Sequence, residues 1–431
     1  MKKTLIRLAI VLAVSVTTVC CGGYNSSSYT SQRPSKLAFR AFVSNPLFPG
    51  GGGNNPVVNI IDATKDVLST TTISMSGAQG GLMAVSADLR YTIVVSPPGR
   101  ISVIDNTTEG ALSTGGSSVP TISLPGLTES VVISQDSKTA YAAVPQAEVL
   151  GQPPGAVVMM NLTTASVQAT VPVPAAHFLA LSKDGNRLLV FSDNSNSISV
   201  INTPLIGTNE NPVQLVGGFD RPVWGIFADS ATAYIFNCGA ECPGGVAAGV
   251  TTFDVNSLLP GTTVAVSAAT YGLLNGGTLY VAGTPPQTAC AGGTAATTCG
   301  TLNIVDVGSM RVMNPNPVLI TDGYHNRMEL GSNGRLFVGA RSCTSINNAG
   351  GEVRGCLSIF NSNTSKVVFP PQIGDATGMA PIPGRDVVYV CVGGVFQIYD
   401  TTTDQLLVQV PRTIDVVGYT IDVKVVDPPP G

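Results

Sequence analysis

The chain carries two histidines, His177 and His325, and each stands just ahead of an apolar run, in company that chemistry can use. Such leading segments hold Glu129 (LTESVVIS), His177 (PAAHFLALS), Asp220 and Arg221 (GFDRPVWGIF), and Tyr324, His325, Asn326 and Arg327 (DGYHNRMEL). Brought together, two imidazoles, an acid and two arginines supply a general base, a group to orient it, and a clamp for an oxyanion or a carboxylate. The same side chains also suit a plainer role, as polar linings satisfied by water and backbone groups. Which role applies depends on the elements that position them.

Those elements repeat. Eight times an apolar run ends in Asp or Asn and breaks into small polar residues: VNIID at Asp62, ISVID at Asp105, VVMMN at Asn161, ISVIN at Asn202, VTTFD at Asp254, LNIVD at Asp306, LSIFN at Asn361 and FQIYD at Asp400. The marks recur about every fifty residues, a period of propellers and solenoids. Ahead of most marks lie two apolar stretches joined by a turn, as in VVISQDSKTAYAAV (131–144) and FLALSKDGNRLLVF (178–191). The turn residues Asp88, Asp136, Asp184 and Asp229, with Asn275–Gly276 in the equivalent place, keep the same register.

Each unit therefore reads as four short strands rich in Val, Ile, Leu and Tyr, punctuated by Gly, Asn and Asp, with no helical period. The expected fold is all-β, a β-propeller of four-stranded antiparallel blades. Eight blades are predicted, or seven if the stretch between Leu258 and Val281 forms no separate unit. The first unit lacks a strand ahead of it, while the last is followed by DVVGYTIDVKVV (415–426), so the C-terminal strand is expected to close the ring. Glu129 and His177 hold the same place in successive units, and Asn326, with His325 beside it, falls close to the equivalent place.

The motifs LYVAG (279–283), AYIFN (233–237), VSADLRYTIVV (85–95) and the recurrent ISVID resemble YVTN-type propeller repeats. They are similar to those of bacterial surface and periplasmic propellers and of the lactonase-like propellers, over roughly Phe39 to Val426. The resemblance implies that the innermost strand of each blade lines a central channel, and that the loops leading into it share a face with the loops between second and third strands. The eight candidate residues then gather on one face. These motifs are structural, so they speak to fold and not to activity.

The N-terminus, MKKTLIRLAIVLAVSVTTVCCGG, has a basic start and an apolar core too short to span a bilayer, as a signal peptide does. Residues 1–20 are expected to be that signal, 21–36 a Ser-rich linker, 37–427 the propeller and 428–431 a tail. The adjacent cysteines resemble a bacterial lipoprotein start, with lipidation at Cys20 or Cys21; Cys21 better fits the small-residue preference at the cleavage site. A doubly acylated cysteine would hold the protein on a membrane, in the periplasm or at the outer cell surface.

Six further cysteines fall in pairs between second and third strands: Cys238–Cys242, Cys290–Cys299 and Cys343–Cys356. In an oxidising compartment these read as local disulfides and not as a metal site, which draws four ligands together. Cys391, within VVYVCVGG, is left over and is expected to be buried in a strand. Trp224, the only tryptophan, opens an inner strand and is expected to pack in the core. Only 11% of the residues are charged, 22 basic against 26 acidic, with no basic cluster, which excludes nucleic acid as a partner. No cofactor is expected, since the sequence has no Cys-x-x-Cys-His attachment.

Two functions fit. One is a monomeric, non-catalytic binding or scaffold protein whose loop-rich face meets a protein, a glycan or a small molecule. The other, implied by the resemblance, is a lactonase-like hydrolase with Glu129, His177, His325 and Arg327 at the channel mouth.

Overall fold

All eight Asp/Asn marks are the last residues of strands, and their side chains show why those strands stop. The computed structural model describes residues 33–50, 53–75, 78–110, 119–238, 248–286, 288, 290, 298–347, 353–407 and 414–430. In it the Oδ1 of Asp62 accepts from Thr64 N at 2.9 Å, that of Asp105 from Thr107 N at 2.9 Å, and that of Asp254 from Asn256 N at 2.8 Å. Asn161, Asp306, Asn361 and Asp400 act in the same way. A side-chain acceptor that captures a backbone N–H two or three residues on turns the chain back upon itself. Asn202 is the exception. Its Oδ1 accepts from Arg187 Nη1 at 3.0 Å, and a short 3-10 turn, Thr203–Leu205, follows.

Among the described residues the strands form eight four-stranded antiparallel sheets, one of them with an additional edge strand, and two small two-stranded hairpins. Numbered in chain order, blade 3 shows the pattern: inner strand Ser130–Ile133, then Thr139–Val144, Ala156–Asn161 and Ser166–Pro172. The inner strands of blades 4 to 8 are Ala176–Leu181, Pro222–Phe227, Tyr271–Asn275, Tyr324–Leu330 and Ala376–Pro381. The stretch after Leu258 supplies both the outer strand of blade 5, Leu259–Ala265, and the start of blade 6, so the ring has eight blades and not seven. Closure is as expected. The C-terminal strand Asp422–Val425 pairs with Arg40–Asn45, Ala41 opposite Val425 and Ser44 opposite Asp422, and becomes the inner strand of blade 1.

The core is a ring of separate clusters, one at each of the eight junctions between blades. At the junction of blades 2 and 3, for example, Tyr91, Ile93 and Val103 pack on Ala140, Ala142 and Val158. Both faces of a middle strand are thus buried, which explains near-continuous apolar runs such as Val387–Val392. Cys391 lies within that strand, buried at the junction of blades 8 and 1 with a free thiol.

Around the closure seam the apolar junctions are reinforced by ion pairs. Asp66, Glu109 and Asp404 share one position, the fifth residue from the Asp mark, each with positive φ (58°, 58° and 61°). Each receives an arginine from the preceding blade: Arg385 is bidentate to Asp66 at 2.6 Å, Arg40 meets Glu109 at 2.7 Å, and Arg335 meets Asp404. Arg40, fully buried, also holds Asp427 at 2.7 Å, just beyond the closing strand.

Two of the expected disulfides, Cys290–Cys299 and Cys343–Cys356, are present. Cys242 of the third pair, and the expected signal segment with Cys20 and Cys21, lie outside the described residues.

Candidate functional site: the channel mouth

The inner strand of blade 4 opens with a bulge. Ala176 pairs with Ser192 and Phe178 with Phe191, leaving His177 out of the ladder. Blades 5, 7 and 8 slip at the same place, at Val223, Asn326 and Thr377. A bulge re-aims the extra residue, and here it presents His177 at the channel mouth. The imidazole stacks on Phe178 with ring centroids 4.1 Å apart.

His177 is gripped from both sides. Its Nδ1 lies 2.6 Å from Asp193 Oδ1 and its Nε2 lies 3.6 Å from Glu129 Oε2. The same Glu129 oxygen accepts from Arg341 Nη1 at 2.8 Å, and the Arg341 guanidinium stands 5.2 Å from the centre of the Tyr324 ring. Glu129 belongs to blade 3 and Arg341 to blade 7, so the pair spans the channel. The close approach of His177, with the hydrogen bond from Arg341, holds the Glu129 carboxyl down at about 2. Burial pulls His177 downward, but Glu129 and Asp193 outweigh it and raise its pKa above the ordinary 6.5.

Below the mouth lies a cavity of about 440 Å³ to which all eight blades contribute, and beside it a recess of about 290 Å³ around His177, Asp193 and Arg221. Phe178, Tyr324 and Arg341 border both. Arg221 holds Asn194 Oδ1 at 2.9 Å with its guanidinium, whereas Asp220 borders neither space. Arg327 lies in the channel wall, its Nε donating to Thr377 O at 3.2 Å and its Nη1 to Asn326 O at 3.0 Å. Trp224 packs against the junction of blades 5 and 6, as core packing required, but its other side borders the channel.

The two histidines part company. His325 has no exposed surface; its Nε2 lies 3.0 Å from Thr321 O, and burial lowers its pKa to about 4. Gly300 of blade 6 closes on this ring, where a Cβ would come within 2.6 Å of His325 Cε1. Of the proposed catalytic set, then, Glu129 and His177 meet, Arg327 sits in the wall below, and His325 is sealed in the wall.

Sequence reasoning passed over Asp193 and Arg341. Both stand at the end of a second strand, Asp193 just past Ser192 and Arg341 closing Arg335–Arg341. Applied to strand ends, the rule that second-to-third loops share the face of the leading loops would have included them.

With this geometry in view, the chain can be set beside known proteins. No family model and no curated protein matches it. Solved structures do. Dihydro-heme d1 dehydrogenase NirN in complex with DHE matches with a TM-score of 0.61 at 11% identity, over 90% of this chain and 75% of that one. The likeness is one of fold. Hydrazine synthase of Kuenenia stuttgartiensis (TM-score 0.48, 16% identity, 68% and 80% covered) and a functionally unknown protein of Desulfotomaculum acetoxidans (0.47, 12%, 91% and 99%) also match.

Proposed function

We propose that the protein is an exported, non-catalytic binding propeller that receives its ligand at the channel mouth on its loop-bearing face. The observation that carries this reading is the double pairing of His177. Two carboxylates beside an imidazole favour its imidazolium form, which has no lone pair to accept a proton. Glu129, ionised down to about pH 2, is too weak a base to take its place. The pairing therefore favours the charged form of both groups, which suits recognition more than general-base hydrolysis. The cavity has the size of small-molecule sites, and aromatic rings and polar groups share its wall.

Export is supported by the signal-like N-terminus and by the Cys290–Cys299 and Cys343–Cys356 disulfides, which persist in oxidising compartments. Membrane attachment rests on Cys20 or Cys21. A clickable fatty-acid probe should label the wild-type protein and not a Cys20→Ser/Cys21→Ser variant.

The binding role is tested on the purified protein with a small-molecule library, read by the emission of Trp224, the chain's only tryptophan. Saturable changes, together with no turnover of a panel of lactones and esters, are expected. Turnover that disappears in a Glu129→Gln/His177→Ala variant overturns the reading.

A further inference from the structure

Below the Glu129–Arg341 bridge the channel has two unlike walls. Blades 4 to 6 contribute a run of rings, Phe178 edge-on to Trp224 at 5.8 Å and Trp224 tilted against Tyr271 at 4.9 Å. Blades 7 and 1 contribute Asn326, Arg327, Glu329 and Lys424. Several of these polar groups lack partners. Asn326 Oδ1 is buried with no hydrogen bond, and among the described residues none reaches the Glu329 carboxylate. Arg327 donates Nε and Nη1 to backbone carbonyls, and among the described residues its Nη2 has no hydrogen bond. Among the described residues Lys424 has Asp422 alone, 3.3 Å away.

The same cavity is thus lined by acceptors and donors together with a run of aromatic rings. Leaving such groups unpaired on ligand binding is costly, so the ligand must answer both kinds. An apolar ligand answers neither. A carboxylate ligand would satisfy Arg327 and Lys424 but would bring a further acceptor beside Glu329 and leave Asn326 Oδ1 without a donor. Hydroxyl groups donate and accept at once, and a sugar ring adds a C–H face that lies flat on aromatic rings.

Building on the binding role above, we propose that the channel takes a saccharide of one or two rings, stacked on Trp224 and Tyr271 and hydrogen-bonded through its hydroxyls to Asn326, Arg327 and Glu329.

The test uses the purified protein and titrates Trp224 emission with cellobiose, maltose, xylobiose and N,N′-diacetylchitobiose, beside phenylacetate and hexanol as non-sugar probes. At least one saccharide should give a saturable change, confirmed by calorimetry. Arg327→Ala and Glu329→Ala should each weaken it about tenfold or more, with the thermal midpoint checked to confirm folding. Saturation by phenylacetate or hexanol with no response to any sugar overturns the saccharide and leaves the binding role standing. Silence toward every probe and the wider library removes both. Sugar binding that both substitutions leave unchanged overturns the proposed site.

Discussion

Glu129 and Arg341 stand on opposite sides of the ring, in blades 3 and 7, yet their side chains meet at 2.8 Å across the channel mouth. Only a pair with a long arm can close such a gap, and the fourth blade along from blade 3 supplies it. The bridge joins the charges of the mouth, because the same Glu129 oxygen also faces His177. Both partners are substantially exposed, so the pair organises charge more than it adds stability.

The His177 pairing predicts a pH signature with two limits. With its folded pKa raised, His177 contributes stability that is fully present below its unfolded value of 6.5 and is lost as pH rises through the folded pKa. Glu129, depressed from 4.5 to about 2, contributes stability above 4.5 that is lost as pH falls toward 2. Both contributions are complete between these unfolded values. Proton NMR of the imidazole should show titration above 6.5, moving down in Glu129→Gln and in Asp193→Asn. A wild-type His177 that titrates below 6.5 would refute the double pairing.

Two arginine substitutions should behave very differently. Arg40→Ala leaves Glu109 buried without its cation and Asp427 with Arg33 alone, and should cost about 3–5 kcal/mol in urea unfolding. Arg341→Ala removes a half-exposed partner and should cost below about 1 kcal/mol. Equal losses would mean that burial does not decide the worth of these pairs.

Deleting residues 419–431 removes the inner strand of blade 1 and exposes the pairing edge of Arg40–Asn45. The truncated chain should lose cooperative unfolding and aggregate. A soluble product that melts like the full chain would show that ring closure contributes nothing.

Replacing Cys343 and Cys356 together by Ala opens a loop of 13 residues and should lower stability by about 3 kcal/mol, and dithiothreitol, which also opens Cys290–Cys299, should lower that of the wild type further. Cys391 should resist thiol reagents in the native state, since it is fully buried and burial pushes its thiol up. Labelling of Cys391 at the same rate in folded and unfolded protein would contradict this placement.

The blade repeat was legible in the sequence because its chemistry is local. Asp62 and Thr64, or Asp254 and Asn256, are neighbours in the chain, so a capped turn leaves its mark within a few letters. The closing strand was legible for a similar reason, as an apolar run left over at one end and missing at the other. The ion pairs of the seam were not. Asp66 and Arg385 lie 319 residues apart, and nothing near either one names its partner.

The candidate site divides in the same way. The sequence by itself determined the eightfold strand pattern, the loops that hold the cysteine pairs, and the leading segments that carry Glu129, His177 and His325. Only the tertiary structure decided what those residues do. His177 is the bulged residue of its strand and faces the mouth, whereas in blade 7 the bulge falls on Asn326 and leaves His325 sealed in the wall. In a strand a shift of one residue exchanges one face for the other, and a histidine's sequence context does not reveal its phase. The meeting of Glu129 with Arg341, 212 residues away, follows from the number of blades, a property of the closed ring and of no segment within it.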